Sequence, residues 1–197
     1  MMKKRYPIEV LTKQELQALL EACGKEKWTD RRNYALVVLM WRTGLRISEA
    51  LALRPCDVHL ERGAIRVLQG KGGRARTVGI DRSGGEQLAA WMQEHAQMGY
   101  SGGHVLFVTR SGQMLSQGYL RRKIPVLGQA AGIHKRVHAH GLRHTHASEL
   151  RAEGVDIAVI RRQLGHASLL TTIEYLDHLS SNLVVETVVA RGTAFLK

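Results

Sequence analysis

Hydrophobic positions near the start of the chain repeat with a helical period. Thr12-Lys13-Gln14-Glu15 has the form of a capping box, in which side chains at both ends of the tetrapeptide satisfy backbone N–H groups at the start of a helix. Leu16, Leu19 and Leu20 follow on one face. This pattern predicts a first helix over residues 13–23.

The next segment, Arg31–Thr43, is apolar on every side between Ala35 and Trp41. Periodicity alone does not separate a buried helix from a buried strand in such a run. Its length and Gly44 at its end favour a buried helix. A short helix over Ile47–Leu53 follows, and Pro55 ends it.

The hydrophobic period then changes from helical to alternating. Ile65 and Val67 flank Arg66, and Thr77–Ile80 forms a second alternating run. Between the runs lies a glycine-rich stretch, 69–74, that carries Lys71. The sequence therefore predicts a β-hairpin with a lysine in its turn. A third short strand is expected over His104–Thr109.

Helical patterns return after the hairpin. They cover Ser83–Gln97, Gly118–Ala131, Leu142–Ala152, Asp156–Leu164 and Thr171–Leu179. Pro125 should kink or split the second of these helices, because proline lacks the N–H that the helix needs. The predicted fold class is α+β: mostly α-helical, with a small antiparallel β-sheet. A length of 197 residues suits one domain, or one domain with a tail.

The charge balance is strongly basic. Lysine and arginine number 29 against 17 acidic residues, which gives a net charge of +12. Such an excess attracts polyanions, most often nucleic acid or an anionic membrane surface. The 20 arginines outnumber the 9 lysines, and guanidinium groups pair with phosphate oxygens two at a time. This ratio favours phosphate recognition.

Acidic residues are absent from the whole stretch between Glu94 and Glu149. A solvated helix face would normally mix both signs of charge. The acid-free stretch therefore indicates a surface that lies against phosphates. Its candidate DNA-binding residues are Arg121, Arg122, Lys123, Lys135 and Arg136.

Cysteine content and hydropathy exclude several classes of protein. Cys23 and Cys56 are the only cysteines, and they form neither a disulfide-rich nor a zinc-binding pattern. The run Tyr34–Trp41 is too short to span a bilayer, and Met1–Tyr6 is not followed by the apolar core of a signal peptide. We expect a cytoplasmic, nucleoid-associated protein with no membrane partner.

Three segments carry the candidate chemistry. They read TGLRISEALAL at 43–53, HAHGLRHTHAS at 138–148 and LGHASLLTTIEYLD at 164–177. Taken singly, their residues have ordinary explanations. Tyr175 would be a helix tyrosine beside apolar neighbours. His140 and His166 would each be a capping or surface residue, and Arg46 would form a salt bridge with Glu49 three residues on.

The ordered set is more specific than its parts. Along the chain it gives Arg46, His140, Arg143, His166 and Tyr175, with Tyr175 nine positions after His166. This order resembles the tyrosine recombinase, or phage integrase, family, whose members cut and rejoin DNA through a phosphotyrosine. The resemblance covers most of the chain.

The resemblance implies a role for each residue. Tyr175 would be the nucleophile, Arg46 and Arg143 the phosphate clamps, His140 the general base and His166 a donor to a phosphate oxygen. Glu49 would support Arg46. Lys71, in the hairpin turn, would be the general acid for the 5′-oxygen, although a turn lysine is also often just solvated.

The resemblance also implies the partners. The reaction would need neither a metal nor a nucleotide cofactor, and the partner would be double-stranded DNA with the protein assembled as a tetramer. Arg74 and Arg76, beside the predicted turn, would face backbone phosphates. A metal site built from the four histidines between positions 138 and 146 is a weaker alternative, because Glu149 is the only close carboxylate.

The expected organisation is a catalytic domain over residues 1–180 and a C-terminal tail, 181–197, that is exchanged between protomers. Most relatives carry an N-terminal helical domain that holds the other face of the DNA, and only about 30 residues precede Arg31 here. The chain would then be an isolated catalytic domain or a minimal recombinase. A type IB topoisomerase-like enzyme and a DNA-binding module that does not cut remain alternatives.

Overall fold

The computed structural model describes residues 9–68, 75–100, 103–166, 168, 170, 172 and 173. Within them lie seven α-helices and a three-stranded antiparallel sheet. The helices are α1 (Lys13–Glu21), α2 (Trp28–Thr43), α3 (Ile47–Ala52), α4 (Arg82–Gln97), α5 (Gln117–Ala130), α6 (Ala139–Ala152) and α7 (Ile157–Leu164). The strands are β1 (Val58–His59), β2 (Ala64–Val67) and β3 (Arg76–Gly79), in the order β1-β2-β3. The predicted fold class is confirmed.

Local signals determine where the first helices begin and end. Thr12 caps α1 through the reciprocal capping box with Glu15. Gly44 ends α2 in the left-handed conformation, with φ of 64°. Nine of the sixteen residues of α2 are buried, and the helix packs against both α4 and α6. Helix α2 is thus the centre of the core.

The two predicted strands pair antiparallel as β2 and β3, with Ile65 opposite Val78. Both side chains are buried against the helical core, while Arg66 and Thr77 on the other face are exposed. The turn residues 69–74, including Lys71 and Arg74, lie outside the described residues.

The expected third strand over His104–Thr109 is wrong. Leu106, Phe107 and Val108 are all fully buried, so the segment does not alternate between a buried and an exposed face. Within the described part of the chain it joins no strand, apart from one isolated bridge between Val108 and Met114. The third strand is instead β1, which pairs with the start of β2 and is only two residues long. Nothing in so short a segment, just after a proline, distinguishes it from a turn.

The later helices agree with the sequence pattern. Helix α5 continues through Pro125 without being split. Helix α6 begins three residues earlier than predicted, because His138 caps it by accepting the Gly141 N–H at 2.8 Å. The predicted helix over Thr171–Leu179 and the tail 181–197 fall almost wholly outside the described residues.

Gly44 provides a test of how tightly the helix ends are packed. A Cβ at this position would lie 2.7 Å from His146 Cδ2 and 2.9 Å from Leu164 Cδ2, in addition to the left-handed strain. Gly132 has a similar φ of 68°, but a Cβ there meets no atom of the described residues within 4 Å. Gly132→Ala should therefore lower the free energy of unfolding only by the left-handed strain, about 1–2 kcal/mol. Gly44→Ala should lower it by about 1–3 kcal/mol more. Urea unfolding measures both; equal losses would mean that the helix ends are not closely packed.

Candidate active site

Arg143 lies at the centre of the site. It is on α6 and only 1% exposed. Its Nη1 donates to the Gly44 carbonyl and its Nη2 to the Leu164 carbonyl, both at 2.6 Å. These carbonyls belong to the C-terminal ends of α2 and α7, where backbone oxygens have no partner within the helix and the helix dipole is negative. Two helix ends thus hold the buried cation.

Arg46 lies at the start of α3, where it shares a carboxylate with a second arginine. Its Nη1 donates to Glu49 at 2.9 Å, and its Nη2 lies 3.4 Å from the Gly165 carbonyl. Arg76 on β3 donates to both oxygens of Glu49, at 2.8 and 3.0 Å. The Glu49 side chain is 1% exposed, so it is fully engaged in holding these arginines.

The combined charge of Arg46, Arg76 and Glu49 favours binding of an anion. Burial on its own would raise the pKa of Glu49, but hydrogen bonds from Arg76 and from the Arg46 backbone, with the charges of both guanidinium groups, outweigh burial and hold the pKa below its usual range. Two guanidinium groups against one carboxylate leave a net charge of +1. Arg46 therefore keeps its attraction for a phosphate even though it is paired.

His140 lies in the first turn of α6, one turn before His144. The two rings meet edge to face, with centroids 4.3 Å apart. Although His140 keeps an exposed side, removal of water by surrounding protein atoms lowers its pKa to about 4, and the charges of Arg143 and Arg46 contribute. In His144, which is buried, removal of water comes first, followed by the nearby His140 and His138 and the charge of Arg143, and together they lower the pKa to about 3. Both rings are neutral at pH 7.

His166 follows the glycine that ends α7. Gly165 is left-handed, with φ of 66°, which turns the chain back toward Arg76. The His166 Nδ1 lies 3.0 Å from the Thr172 hydroxyl, a contact that orients the ring. Partial burial, then the charges of Arg143 and Arg46, lower its pKa to about 4. The two arginines thus act on both imidazoles.

The structure brings together five residues of the expected set: Arg46, Glu49, His140, Arg143 and His166. The two remaining catalytic candidates, Lys71 and Tyr175, lie outside the described residues. Arg74 does as well.

The expected DNA-binding residues occupy different environments. Arg121, Arg122 and Arg136 are exposed, and Lys123 is half-buried. Arg76 differs from the expectation of an outward-facing cation, because its side chain is 14% exposed and bound to Glu49. Lys135 also has a partner within the protein: its ammonium lies 2.7 Å from the Glu15 carboxylate.

Sequence reasoning missed several contributors to the site. The sequence places Arg76 at the surface, because strand alternation does not reveal a neighbour 27 positions away. His138 caps α6 and His144 contacts His140, although neither matched an expected role. The spacing of four between His140 and His144 on one helix was a usable signal for contact.

The described residues contain neither a candidate metal site nor a candidate membrane span. In the described ranges, no three His, Cys, Asp or Glu residues are grouped so that they could hold a metal ion. No helix in these ranges is long and apolar enough to cross a membrane.

Comparison with known proteins identifies the family. The model of the phage integrase family matches residues 9–182, which is most of the chain. The chain belongs to the phage integrase family. Within it, the tyrosine recombinase XerD of Ralstonia nicotianae is 33% identical over 169 residues, which cover 85% of this chain and 55% of XerD. The chain thus spans about half the length of this curated relative.

Solved structures of this family share the fold. The crystal structure of the XerA recombinase has a TM-score of 0.82 and 32% identity, over 95% of this chain and 67% of that one. The XerH site-specific recombinase bound to its palindromic difH substrate, in a post-cleavage complex, has a TM-score of 0.75 and 29% identity, over 94% of this chain and 54% of that one.

The shared carboxylate provides the test of this arrangement. Glu49→Gln keeps the shape of the side chain but leaves two guanidinium groups facing each other without a counter-charge. We expect a loss of about 3–5 kcal/mol in the free energy of unfolding. Glu86→Gln is the control: its partner Arg82 is 94% exposed, and we expect a change of no more than about 0.5 kcal/mol.

Chemical denaturation of both variants measures the difference. A Glu49→Gln protein as stable as the Glu86→Gln protein would mean that the Glu49 network contributes little to holding the arginines.

Proposed function

We propose that this chain is the catalytic unit of a site-specific DNA recombinase, which cuts and rejoins double-stranded DNA through a 3′-phosphotyrosine. The observation that carries the proposal is the convergence of Arg46, Arg143, His140 and His166 on one region. The charges of both arginines lower the pKa of both histidines, so all four groups are electrostatically coupled. This donor set suits a phosphodiester.

The arginines would act on the non-bridging oxygens of the scissile phosphate. Attack on phosphorus builds negative charge on these oxygens, and donors already in position stabilise it without reorganising. Glu49 and the helix-end carbonyls hold the guanidinium groups before any DNA is present. A bound phosphate would also favour the charged imidazoles, so His166 would become a better donor in the complex.

Tyr175 would attack phosphorus, by resemblance to the family. A free tyrosine has a pKa of about 10, so its proton needs an acceptor. Neutral His140 is suited to take it. The bond from the tyrosine oxygen to phosphorus forms, the bond from phosphorus to the 5′-oxygen breaks, and Lys71 would give that oxygen its proton. Because the ester to the protein retains the bond energy, the 5′-hydroxyl of another strand can rejoin the DNA without a nucleotide.

Double-stranded DNA is the proposed substrate. The net charge of +12 and the acid-free stretch support it, as does similarity to XerH, which was solved with its difH substrate. Arg121, Arg122 and Arg136 are the exposed cations proposed to meet backbone phosphates, together with Lys123 and the turn residue Arg74. Arg76 and Lys135 would contribute less direct contact, because carboxylates already hold them.

A nicked suicide substrate, from which the cleaved strand end is lost, tests the nucleophile. The chain should form a covalent adduct that survives denaturing gel electrophoresis. Tyr175→Phe should form none but bind DNA nearly as well, because only the attacking oxygen is lost. An adduct in the Phe variant would assign the nucleophile to another residue, and no adduct with the unaltered chain would contradict the cutting function.

The same assay tests the general acid. A substrate with sulfur at the 5′-bridging position releases a thiolate, which leaves without being protonated. Lys71→Ala should therefore slow cleavage of the normal phosphodiester much more than cleavage of the sulfur substrate. Equal slowing on both would rule out the general-acid role.

Self-association through the tail is a further part of this proposal. Residues 181–197 include seven large apolar residues, which favour a docked segment: Leu183, Val184, Val185, Val188, Val189, Phe195 and Leu196. By resemblance, the tail would pass to a neighbouring protomer on DNA. Deleting residues 181–197 should preserve cleavage of the suicide substrate but abolish synaptic complexes and strand exchange. Loss of cleavage in proportion to lost stability would mean that the tail packs on its own protomer instead.

Strand exchange itself separates recombination from relaxation. A recombinase joins strands of two duplexes, whereas a type IB topoisomerase-like enzyme only relaxes supercoils. Relaxation of a plasmid without exchange between two duplexes would favour that alternative.

A further inference from the structure

Gln163, on the last turn of α7, binds the backbone of two other elements. Its Nε2 donates to the Gly79 carbonyl at 2.8 Å, and its Oε1 accepts the Gly79 N–H at 2.9 Å. The same Nε2 donates to the Thr43 carbonyl at 3.1 Å. These partners define the orientation of the amide, because the nitrogen faces two carbonyls and the oxygen faces an N–H. One side chain thus joins the ends of α7, β3 and α2.

Each of these three elements also holds an arginine of the candidate active site. Thr43 precedes Gly44, whose carbonyl accepts a hydrogen bond from Arg143. Gln163 itself precedes Leu164 and Gly165. The Leu164 carbonyl accepts a hydrogen bond from Arg143, and the Gly165 carbonyl accepts one from Arg46. The Gly79 strand carries Arg76, which shares Glu49 with Arg46.

The geometry leaves little room for these elements to move independently. Arg143 spans α2 and α7 with the two nitrogens of one rigid, planar group, so sliding of either helix end lengthens one of two 2.6 Å bonds. On the other side, a Cβ added to Gly165 would lie 2.6 Å from Arg76 Nε, so the end of α7 already touches the arginine on β3. The position of Gln163 therefore affects the guanidinium groups of Arg143 and Arg76 at once.

We propose that Gln163 is a positioning residue for the phosphate-binding arginines. It sets the register of α7 against α2 and β3, and through that register the directions of Arg143 and Arg46. The inference rests on the function proposed above and assigns to Gln163 no contact with the phosphate. Displacement of a reacting group by about 1 Å can slow an enzyme by about 100-fold, so a residue of this kind affects rate more than stability.

The test compares two variants of Gln163 with a control. Gln163→Met removes all three hydrogen bonds at similar size and helix propensity. Gln163→Glu keeps an acceptor for the Gly79 N–H but turns an oxygen toward the Thr43 and Gly79 carbonyls, so it should be at least as impaired. Gln93→Met makes the same change at an exposed position of α4. Each protein is the full chain, and its unfolding midpoint is measured alongside its activity.

The discriminating readout is cleavage of two suicide substrates. One carries the normal scissile phosphate, and the other a methylphosphonate, in which a methyl group replaces one charged oxygen and so reduces the need for a guanidinium. Gln163→Met should cleave the normal substrate about 10–100-fold more slowly, with a much smaller loss on the methylphosphonate and with DNA affinity close to that of the unaltered chain. Gln93→Met should match the unaltered chain on both.

Equal slowing on both substrates, or slowing that follows the loss of stability, would overturn the positioning role, as would no slowing at all. A readout without DNA separates this inference from the proposed function. Rotation about the Arg143 Nε–Cζ bond, measured by NMR, should speed up at least several-fold in Gln163→Met and stay unchanged in Gln93→Met. Unchanged rotation overturns the inference even if the chain cuts DNA. An unaltered chain that forms no adduct would instead refute the proposed function and, with it, this role.

Discussion

The need to stabilise the buried positive charge of Arg143 organises this structure. A guanidinium group that is 1% exposed is very costly without acceptors, and α2 and α7 provide them by ending at the same place. Both helices end in left-handed glycines, Gly44 and Gly165, which turn the chain away and leave carbonyls pointing at the arginine. The positions of three helices thus depend on one side chain.

The acceptors of these two bonds matter for the proposed function because they are uncharged. A carboxylate would neutralise Arg143, whereas a carbonyl satisfies its hydrogen bonds and leaves its charge available. The positive charge beside Arg46 also remains available, for a different reason. Arg46 does have a carboxylate partner, but Arg76 binds the same carboxylate, so the group remains positive. In this positive, partly dehydrated setting His140 and His166 stay neutral.

Local signals were sufficient to predict much of the fold. The capping box at Thr12, the glycine after Thr43 and the alternation around Ile65 each act within a few residues, so the sequence displays them directly. Four residues of the ordered set, Arg46, His140, Arg143 and His166, lie together with Glu49 in the structure, and their roles stay predictions. Lys71 and Tyr175 stay predictions, because they lie outside the described residues.

Contacts between distant segments were harder to anticipate. The sequence predicts an outward-facing Arg76 beside the hairpin turn, because its partner Glu49 lies 27 positions away and meets it only in the fold. The apolar residues after His104 predict a strand, but side chains that are buried consecutively have no period that would distinguish a strand. Gln163 gave no signal at all, because its three bonds are to backbone groups whose positions only the fold defines.

In the proposed function the arginines form a phosphate site before DNA binds, with neutral imidazoles beside it. The most direct test follows the His140 and His166 ring protons by NMR in Tyr175→Phe, which should bind DNA without cutting it. In the free protein both pKa values should be about 4. A duplex with the normal scissile phosphate should raise both pKa values, because a nearby anion favours the charged ring, and a methylphosphonate at that position should raise them less. Values that do not change on binding, or that rise equally with both duplexes, would contradict this account.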